Sequence, residues 1–380
     1  MERLYYKDAY ISKFNARVIS ITEKGIVLDK TAFFPEGGGQ SSDTGTLGNV
    51  KISDVQEENG VIYHKTQEKT DFSEGDTVEG IIDFSKRFSD MQNHSGEHIV
   101  SGIVHSVFGY ENVGFHLNDK EIALDFSGVI PSEKISEIEL MANETVWKNL
   151  EIKAFFPSEE EKLSINYRSK KEIDGELRLV EIEGVDICAC CAPHVRRTGE
   201  IGIIKIVGFE KHRGGTRVYI LCGERALKDY SVKQEENHRV GTLLKVKEYE
   251  TSSAVEALIK KKNDFEYEIT KLNNEAAVAK ASAYEESESI IAFESFTGQA
   301  LVHFANTLKE KAKFVATFTE TGENNFQYMI ISDNEVTAFV REMNTALNGK
   351  GGGRGGSARG SLCCSEEEIR TFFIEKALLK

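Results

Sequence analysis

Short runs in which apolar and polar residues alternate fill the first 88 residues of the chain. Examples are A-R-V-I-S-I at 16–21 and G-I-V-L-D at 25–29, with Gly, Asn and Asp turns between such runs. This pattern predicts a small N-terminal β-barrel or sandwich over 1–88. Within it, T-A-F-F-P-E-G-G-G-Q-S-S-D-T-G at 31–45 predicts a loop, because three consecutive glycines do not continue a strand. The loop is either a tight barrel turn or a lid or wall over a site.

The apolar period becomes helical from residue 89 onwards. Apolar and histidine positions recur at helical spacing from Met91 to Phe108, and Gly109 is a typical helix stop. Strand-like segments and another helix follow as far as residue 222. We therefore expect an α+β domain over 89–222, with strands at 115–126, 177–182, 201–207 and 217–222 and a helix at 132–148.

Residues 223–285 contain no proline and are rich in Glu, Lys, Ala and Leu. Apolar residues recur there in steps of three and four from Val255 to Ala283, with Lys262 as the polar interruption. The pattern predicts a long helix or an antiparallel helical pair, serving as a spacer or a dimer seam. Residues 286–380 predict a C-terminal α/β domain. A homodimer through the helical linker or through this domain is left open.

Composition is that of an ordinary globular chain of 380 residues, 40% hydrophobic and 29% charged. No apolar run reaches transmembrane length and no signal core precedes the first strands, so we expect a cytoplasmic protein without a membrane partner. The six cysteines are clustered, which favours free thiols over a disulfide framework.

The net charge of −15 argues against a polyanionic partner, but two stretches are locally basic. They are K-H-R-G-G-T-R at 211–217 and the glycine-rich segment 349–361. Glycines with interspersed cations allow a backbone concavity that binds phosphate, whereas a flexible linker is the alternative interpretation. The candidates for nucleic-acid binding are Lys211, Arg213, Lys350, Arg354 and Arg359.

Two histidine-bearing motifs carry the clearest chemistry. The first, M-Q-N-H-S-G-E-H, places His94 and His98 four residues apart, on one face of the predicted helix. The second, D-I-C-A-C-C-A-P-H, offers Cys190 and His194 at the same spacing. Three imidazoles and a thiolate suit tetrahedral Zn²⁺, so the two motifs together predict a zinc site.

The sequence does not identify which of the three clustered cysteines binds the metal. Cys188 and Cys191 could replace Cys190, or they are packing residues. Pro193 argues against a helix here and indicates a loop that aims the side chains. In the metalloprotease motif H-E-x-x-H the glutamate follows the first histidine, whereas here it precedes the second. A peptidase is therefore disfavoured.

These motifs resemble those of the long-form alanyl-tRNA editing (AlaX) proteins, relatives of the editing domain of alanyl-tRNA synthetase. The resemblance is carried by the H-x-x-x-H and C-x-x-x-H pairs, by F-F-P-E-G-G-G-Q-S-S-D-T-G and by H-V-R-R-T-G-E-I-G-I-I-K-I. The helical stretch and the glycine-rich region resemble a DHHA1-type C-terminal domain. The resemblance implies ATP-independent hydrolysis, in trans, of alanine tRNA mischarged with serine or glycine.

Carried over residue by residue, the resemblance also implies roles at the site. The usual C-G-G-T-H-V is C-C-A-P-H-V here, with the ligand spacing preserved. Thr31 is the candidate to contact the seryl hydroxyl. Gln40 and Glu97 are candidates for polar support, although turn or solvent-facing positions are the favoured interpretation for both. The implied zinc ligands are His94, His98, Cys190 and His194.

Two functions from different classes fit these observations. The favoured one is a zinc-dependent aminoacyl-tRNA deacylase, because a site that hydrogen-bonds a hydroxyl prefers serine to alanine. Zinc either lowers the pKa of a bound water, polarises the ester carbonyl or, with four protein ligands, only orients the substrate. The alternative is a non-catalytic tRNA- or RNA-binding protein whose zinc braces the fold.

Overall fold

The computed structural model describes residues 1–117, 122–169 and 176–378. The chain divides into two compact units, Met1–Glu236 and Asn237–Lys380. Mixed helix and sheet occur in both units, so the predicted α+β class is confirmed. The finer division at residues 88, 222 and 285 stays a prediction.

The N-terminal region is built from short strands, as its alternating pattern predicts. In β2 the side chains of Phe14, Ala16 and Val18 are buried while their neighbours face outward. Seven strands form an antiparallel sheet in the order β6-β5-β9-β2-β3-β8-β7, and β1 pairs with β4. The elements are β1 (Glu2–Arg3), α1 (Leu4–Lys7), β2 (Lys13–Thr22), β3 (Gly25–Leu28), β4 (Lys30–Thr31), β5 (Gly45–Leu47), β6 (Val50–Ile52), β7 (Asp54–Glu58), β8 (Val61–Lys65) and β9 (Thr77–Ile82).

The predicted barrel is wrong, because this sheet is not closed. Its two edge strands, β6 and β7, follow each other in the chain with Ser53 between them. They are consecutive parts of one extended segment, so they lie end to end and do not pair with each other. A closed barrel needs a ladder between the edge strands, and the alternating pattern within single strands carries no information on that ladder.

The second half of the first unit combines two sheets with the helix that bears the first motif. The sheets have the orders β10-β11-β16-β15 and β12-β13-β14. The centre of the strand predicted at 115–126 lies outside the described residues. The elements are α2 (Phe84–Phe108), β10 (Asn112–Leu117), β11 (Ile122–Phe126), α3 (Ile135–Trp147), β12 (Ile152–Phe155), α4 (Glu159–Ser164), β13 (Leu179–Ile182), β14 (Asp186–Ala189), β15 (Ile204–His212), β16 (Gly215–Cys222) and α5 (Gly223–Leu244).

Helix α2 begins five residues before the predicted position and ends where predicted. The Asp83 side chain accepts a hydrogen bond from the backbone N–H of Lys86 and so caps the first turn. Gly109 adopts φ 69°, the left-handed conformation that commonly ends helices. Sixteen of its residues are buried, from Arg87 to Val104, so α2 is the central helix of this unit.

Two hydrophobic cores stabilise the first unit and meet at the second motif. One core lies in the N-terminal sheet and includes Phe33 and Phe34. The other packs α2 and α3 against the sheet of β10, β11, β15 and β16. Cys190 packs against both cores, and Ala192 belongs to the N-terminal one. The loop after β14 is therefore fixed from two sides.

The second unit is a five-stranded sheet covered by helices on both faces. Its strand order is β17-β18-β19-β21-β20, with β17 and β18 parallel and the other pairs antiparallel. One core joins the end of α6 and α7 to the sheet, and another joins α8 and α9 to it. The elements are α6 (Thr251–Ser282), β17 (Ser287–Phe293), α7 (Gly298–Lys309), β18 (Ala312–Gly322), β19 (Asn325–Ser332), α8 (Thr337–Ala346), β20 (Lys350–Arg354), β21 (Ser357–Cys363) and α9 (Glu366–Glu375).

The segment predicted as one long helix or a helical pair contains two helices, α5 and α6. A break with Lys245 at φ 58° separates them. The boundary between the two units falls inside α5. Among the described helices, none combines the length and the apolar composition needed to span a bilayer.

The glycine-rich segment 349–361 forms an antiparallel hairpin of β20 and β21, so the flexible-linker interpretation is wrong. Glycine weakens strands, but here it is required by close packing over Tyr328. A Cβ atom on Gly351 or on Gly360 would lie within 2.6 Å of the Tyr328 hydroxyl. Because the hairpin backbone pairs within the sheet, the predicted backbone concavity is replaced by a strand pair that presents side chains.

Candidate metal centre

The structure brings the four predicted ligands together. His94 and His98 lie one turn apart on α2, and Cys190 and His194 lie on the loop after β14. Their ligand atoms are all within 4.8 Å of one another. The Cys190 sulfur is 3.5 Å from His94 Nε2 and 3.4 Å from His194 Nε2. Tetrahedral Zn²⁺ requires a sulfur–nitrogen separation of about 3.6 Å, so the donor set fits this metal.

Two of the three imidazoles are oriented by acceptors on other elements. His94 Nδ1 donates to the Gln40 side-chain oxygen at 2.9 Å, and His98 Nδ1 donates to an Asp186 carboxylate oxygen at 3.0 Å. These bonds place a proton on Nδ1 and direct Nε2 toward the other ligands. Burial lowers the pKa of His98, but Glu97 and the hydrogen bond to Asp186 outweigh this effect and raise the pKa to about 9, so a metal ion bound at Nε2 would displace a proton. Arg168 donates twice to Asp186, at 2.7 and 2.8 Å, and so fixes that carboxylate.

The third imidazole is held by the helix that carries the other two. His194 Nδ1 lies 3.1 Å from the hydroxyl oxygen of Ser95, which also accepts a hydrogen bond from the Val195 backbone N–H. Arg178 donates to the carbonyl oxygens of Cys190 and Ala192 and holds the loop between the ligands. All three imidazoles are therefore oriented by hydrogen bonds to residues outside the ligand set.

The local electrostatics favour the thiolate that a metal ion needs. Burial raises the pKa of the Cys190 thiol, but the imidazoles of His94 and His194 outweigh this effect and hold the pKa well below its ordinary value. Burial also raises the pKa of Asp186, and the hydrogen bonds from His98 and Arg168 outweigh it and keep that carboxyl ionised. A cysteine binds a metal ion as the thiolate, so the lowered pKa of Cys190 supports coordination.

The neighbouring thiols differ from Cys190. Burial raises the pKa of the Cys188 thiol, so this thiol stays protonated at neutral pH. Cys188 is buried beside His98 and Asp186, and Cys191 is exposed next to the glycine loop. Of the three clustered cysteines, the geometry and charge therefore point to Cys190 as the ligand.

The glycine-rich loop 31–45 lies along α2. Arg87, two turns before His94 on that helix, donates to the carbonyl oxygen of Ala32 and pairs with Asp43 in the interior. Between these two positions of the loop, Gln40 reaches His94. Gly39 has φ 85°, and a Cβ there would lie 2.7 Å from the Phe115 carbonyl oxygen, so the loop needs glycine to pack this closely.

The two candidates for polar support are both buried. Glu97 is 0% exposed rather than solvent-facing, because Ser101 and Asn112 each donate to its carboxylate at 2.7 Å. Its second oxygen lies 3.8 Å from His98 Nε2. Gln40 is 1% exposed, and its amide nitrogen has no hydrogen-bond partner within the described part of the chain.

Thr31 lies at the start of the same loop, in β4, and is fully buried. Its hydroxyl is 2.8 Å from His64 Nε2 and accepts a hydrogen bond from the Phe33 backbone N–H at 3.1 Å. The structure thus brings Gln40 and Glu97 to the four ligands, whereas the hydroxyl of Thr31 is bonded within the N-terminal sheet.

The supporting residues Ser95, Arg168 and Asp186 were not identified from the sequence. Asp186 and Ser95 stand inside the two quoted motifs, next to the ligands, and this proximity is the signal that could have found them. Arg168 gives no such signal, because it reaches Asp186 from a distant part of the chain. The candidate cations Lys211 and Arg213 are exposed at the β15–β16 turn.

The basic face of the glycine hairpin is visible in the strand register. Gly352 lies opposite Arg359, Lys350 opposite Ser361 and Arg354 opposite Ser357. Alternate residues of a strand share a face and paired residues share it too. The three cations Lys350, Arg354 and Arg359 therefore occupy one face of the hairpin, and all three are exposed.

Comparisons with known proteins relate this chain to alanyl-tRNA editing proteins and to tRNA synthetases. The family of class II (A) tRNA synthetases matches residues 6–86, and the second additional domain of threonyl and alanyl tRNA synthetases matches residues 177–219. The alanyl-tRNA editing protein AlaX-L of Pyrococcus horikoshii is 28% identical over 99% of this chain and 98% of its own length. The chain resembles the long-form alanyl-tRNA editing proteins.

Other relatives are longer. The alanine–tRNA ligase of Pyrococcus furiosus is 32% identical over 81% of this chain, which spans 35% of the ligase. That of Pyrococcus abyssi is 30% identical over 94% of the chain and 42% of the ligase. The crystal structure of the C-Ala domain of the Aquifex aeolicus alanyl-tRNA synthetase matches 25% of the chain at 20% identity, with a TM-score of 0.21 that supports no conclusion about the fold.

Proposed function

We propose that the protein is an aminoacyl-tRNA deacylase that removes serine, and also glycine, from mischarged alanine tRNA. The observation that carries the proposal is the convergence of His94, His98, Cys190 and His194, each imidazole oriented by a partner on Nδ1. The likeness to an alanyl-tRNA editing protein over nearly the whole chain supports the choice of ester and of tRNA.

The metal ion and the side chains around its ligands would have different roles in the hydrolysis. Zn²⁺ held by the four ligands would supply positive charge next to the ester carbonyl. Among the described residues, the buried amide nitrogen of Gln40 has no acceptor, and a buried donor left unpaired costs about 1–3 kcal/mol. We assign it to the oxygen that becomes negative during hydrolysis. The buried Glu97 carboxyl group lies next to His98, with 3.8 Å between its second oxygen and His98 Nε2.

In this proposal, Thr31 recognises the side chain of the amino acid that is esterified to the tRNA. Its hydroxyl would bind the hydroxyl of a seryl group, which an alanyl group lacks. Thr31 and Gln40 are at most 1% exposed, so access requires movement of the loop 31–45. The positive φ angles of Gly38 and Gly39 give this loop its sharp turn. The loop is then a lid as well as a wall.

The deciding experiment is a deacylation time course on seryl- and glycyl-tRNA(Ala) with purified protein, with and without a chelator. We expect release of serine that stops on chelation and returns with Zn²⁺. Four protein ligands form a closed shell of the kind found in structural zinc sites, which favours the non-catalytic alternative. That alternative predicts tRNA binding and loss of thermal stability on chelation, with no release of amino acid.

Two further surfaces extend the proposal to partners. The face of Lys350, Arg354 and Arg359 would contact tRNA phosphates. Helix α6 exposes a row of large apolar side chains in heptad steps, with Lys262 as the single polar position, and a second copy of the chain would cover it. The row consists of Val255, Leu258, Phe265, Ile269 and Leu272.

A further inference from the structure

We propose that His64 is a positioning residue that makes Thr31 an acceptor for the seryl hydroxyl and thereby sets the preference for serine. This inference rests on the proposed function, because it concerns how the same site distinguishes its substrates. His64 lies in β8, 33 residues after Thr31 in the chain.

His64 is completely buried and has a defined partner on each ring nitrogen. Nδ1 lies 2.9 Å from the Ile26 carbonyl oxygen, and Nε2 lies 2.8 Å from the Thr31 hydroxyl oxygen. The imidazole also packs edge-on against the Phe33 ring, with 5.3 Å between centroids. Burial lowers the pKa of His64 to about 4, so the ring is neutral at physiological pH.

The hydrogen-bond directions follow from these contacts. A carbonyl oxygen only accepts, so the single ring proton of neutral His64 is on Nδ1 and donates to Ile26. Nε2 is then an acceptor, and the Thr31 hydroxyl must donate its proton to it. The Phe33 N–H donates to the same hydroxyl oxygen and uses one of its two lone pairs.

The Thr31 hydroxyl can make only one kind of hydrogen bond with a substrate. Its proton is committed to His64, and one lone pair of its oxygen has no donor among the described residues, so the hydroxyl can accept a hydrogen bond but not donate one. A seryl hydroxyl can donate to this lone pair, whereas glycyl and alanyl groups have no hydroxyl. His64 therefore affects seryl substrates and leaves glycyl substrates unaffected.

Two substitutions separate positioning from a merely structural role. In His64→Asn the side-chain amide can still donate to the Ile26 carbonyl but no longer reaches Thr31. In His64→Gln the amide oxygen can take the place of Nε2 as the acceptor. We expect His64→Asn to lower kcat/KM for seryl-tRNA(Ala) by about tenfold, with glycyl-tRNA(Ala) changed by less than about twofold, and His64→Gln to restore most of the seryl activity.

A double-mutant cycle with Thr31→Val tests whether His64 acts through Thr31. Thr31→Val alone should give the same selective loss, and adding His64→Asn should then change the seryl-to-glycyl ratio no further. Equal losses on both substrates in a folded His64→Asn variant, or additive losses in the cycle, would overturn the inference while leaving the proposed function intact. A wild-type protein that hydrolyses neither ester would overturn both.

A measurement on the unmodified protein covers the case in which His64→Asn does not fold. Nitrogen-15 NMR of labelled histidine distinguishes the two neutral tautomers. We expect the resonance of His64, assigned with His64→Gln, to show a protonated Nδ1 and an unprotonated Nε2. A proton on Nε2 would reverse the direction of the Thr31 hydrogen bond and would overturn the inference.

Discussion

The metal centre of the first unit and the glycine hairpin of the second unit place their polar groups in opposite environments. The centre buries three imidazoles, and each has a partner on Nδ1. The hairpin exposes all five residues of β20 and presents its cations on one face. Geometry governs a buried polar network, whereas charge and ionic strength govern an exposed basic face.

The largest expected effect follows from loss of the thiolate. Cys190→Ala should lower serine release by more than about a hundredfold and abolish stoichiometric zinc binding. Mutation of a residue that only hydrogen-bonds to a metal ligand already lowers metal affinity or activity by about 10- to 100-fold, and loss of a ligand should have a larger effect. Serine release and zinc content by elemental analysis provide the measurement. Cys191→Ala is the matched control, since this neighbouring thiol is exposed and lies outside the group of four ligands. Equal loss in both variants would remove Cys190 from the ligand set.

The next effect tests the shell around the ligands. Asp186→Asn keeps the shape of the side chain but removes the charge that orients His98 and pairs with Arg168. We expect zinc affinity to fall by about 10- to 100-fold, measured by competition with a chromogenic chelator.

Asp125 provides the control for that experiment. It forms a similar two-bond pair with Arg217, at 2.6 and 2.7 Å, without contact to a ligand. Asp125→Asn should leave zinc affinity unchanged. A comparable loss in both variants would mean that general stability, and not orientation of His98, limits metal binding.

The sequence predicts the ligands of the metal centre better than their supports. The ligands occur in pairs at helical-turn spacing, and the two motifs could be recognised locally. Arg168 reaches Asp186 through a tertiary contact, and His64 reaches Thr31 from a neighbouring part of the sheet. Such contacts depend on strand order, which periodicity within a strand does not determine.

The same dependence on tertiary contacts explains why parts of the fold were predicted wrongly. Helix α2 and its Gly109 stop follow from local signals. That β6 and β7 are the two edges of the sheet depends on how the strands between them pair, and these strands are far apart in the sequence. The hairpin of 349–361 was not predicted as strands because glycine lowers strand propensity. Its glycines are needed by the Tyr328 ring beneath them, a contact that the sequence does not reveal.

A buried titrating group should make the first unit sensitive to acid. The pKa of His64 is about 4 in the folded protein against an ordinary value of 6.5, so between these values the unfolded chain binds the proton and the folded protein does not. Stability therefore falls as the pH is lowered from about 6.5 to 4, by up to about 3 kcal/mol from this residue.

Urea unfolding at a series of pH values checks this expectation. His64→Gln should show a stability that falls less over the same pH range, and His238→Gln is the control because His238 is exposed. An unchanged pH dependence in His64→Gln would show that His64 is not held neutral by burial.

The smallest effect concerns the exposed hairpin. Replacing Lys350, Arg354 and Arg359 by Gln should weaken tRNA binding by about tenfold and lower the slope of log K against log salt by about 1 per residue. Zinc content and the stability of the metal centre should not change. Filter binding at several salt concentrations measures both the affinity and the slope.

The control must remove the same charge from another exposed surface of the second unit. Lys245, Lys260 and Lys261 are exposed and lie at the break before α6 or on α6. Replacing these three by Gln changes the net charge equally, so it should reproduce any effect of overall charge but not the loss of a phosphate-binding face. Equal slopes in the two triple variants would mean that the hairpin contributes only to the general field of the protein. A loss of tRNA affinity in the hairpin variant alone would identify the hairpin as a local contact surface. The tRNA contact would then depend on exposed charge and on salt, whereas the activity of the buried centre depends on the orientation of its ligands.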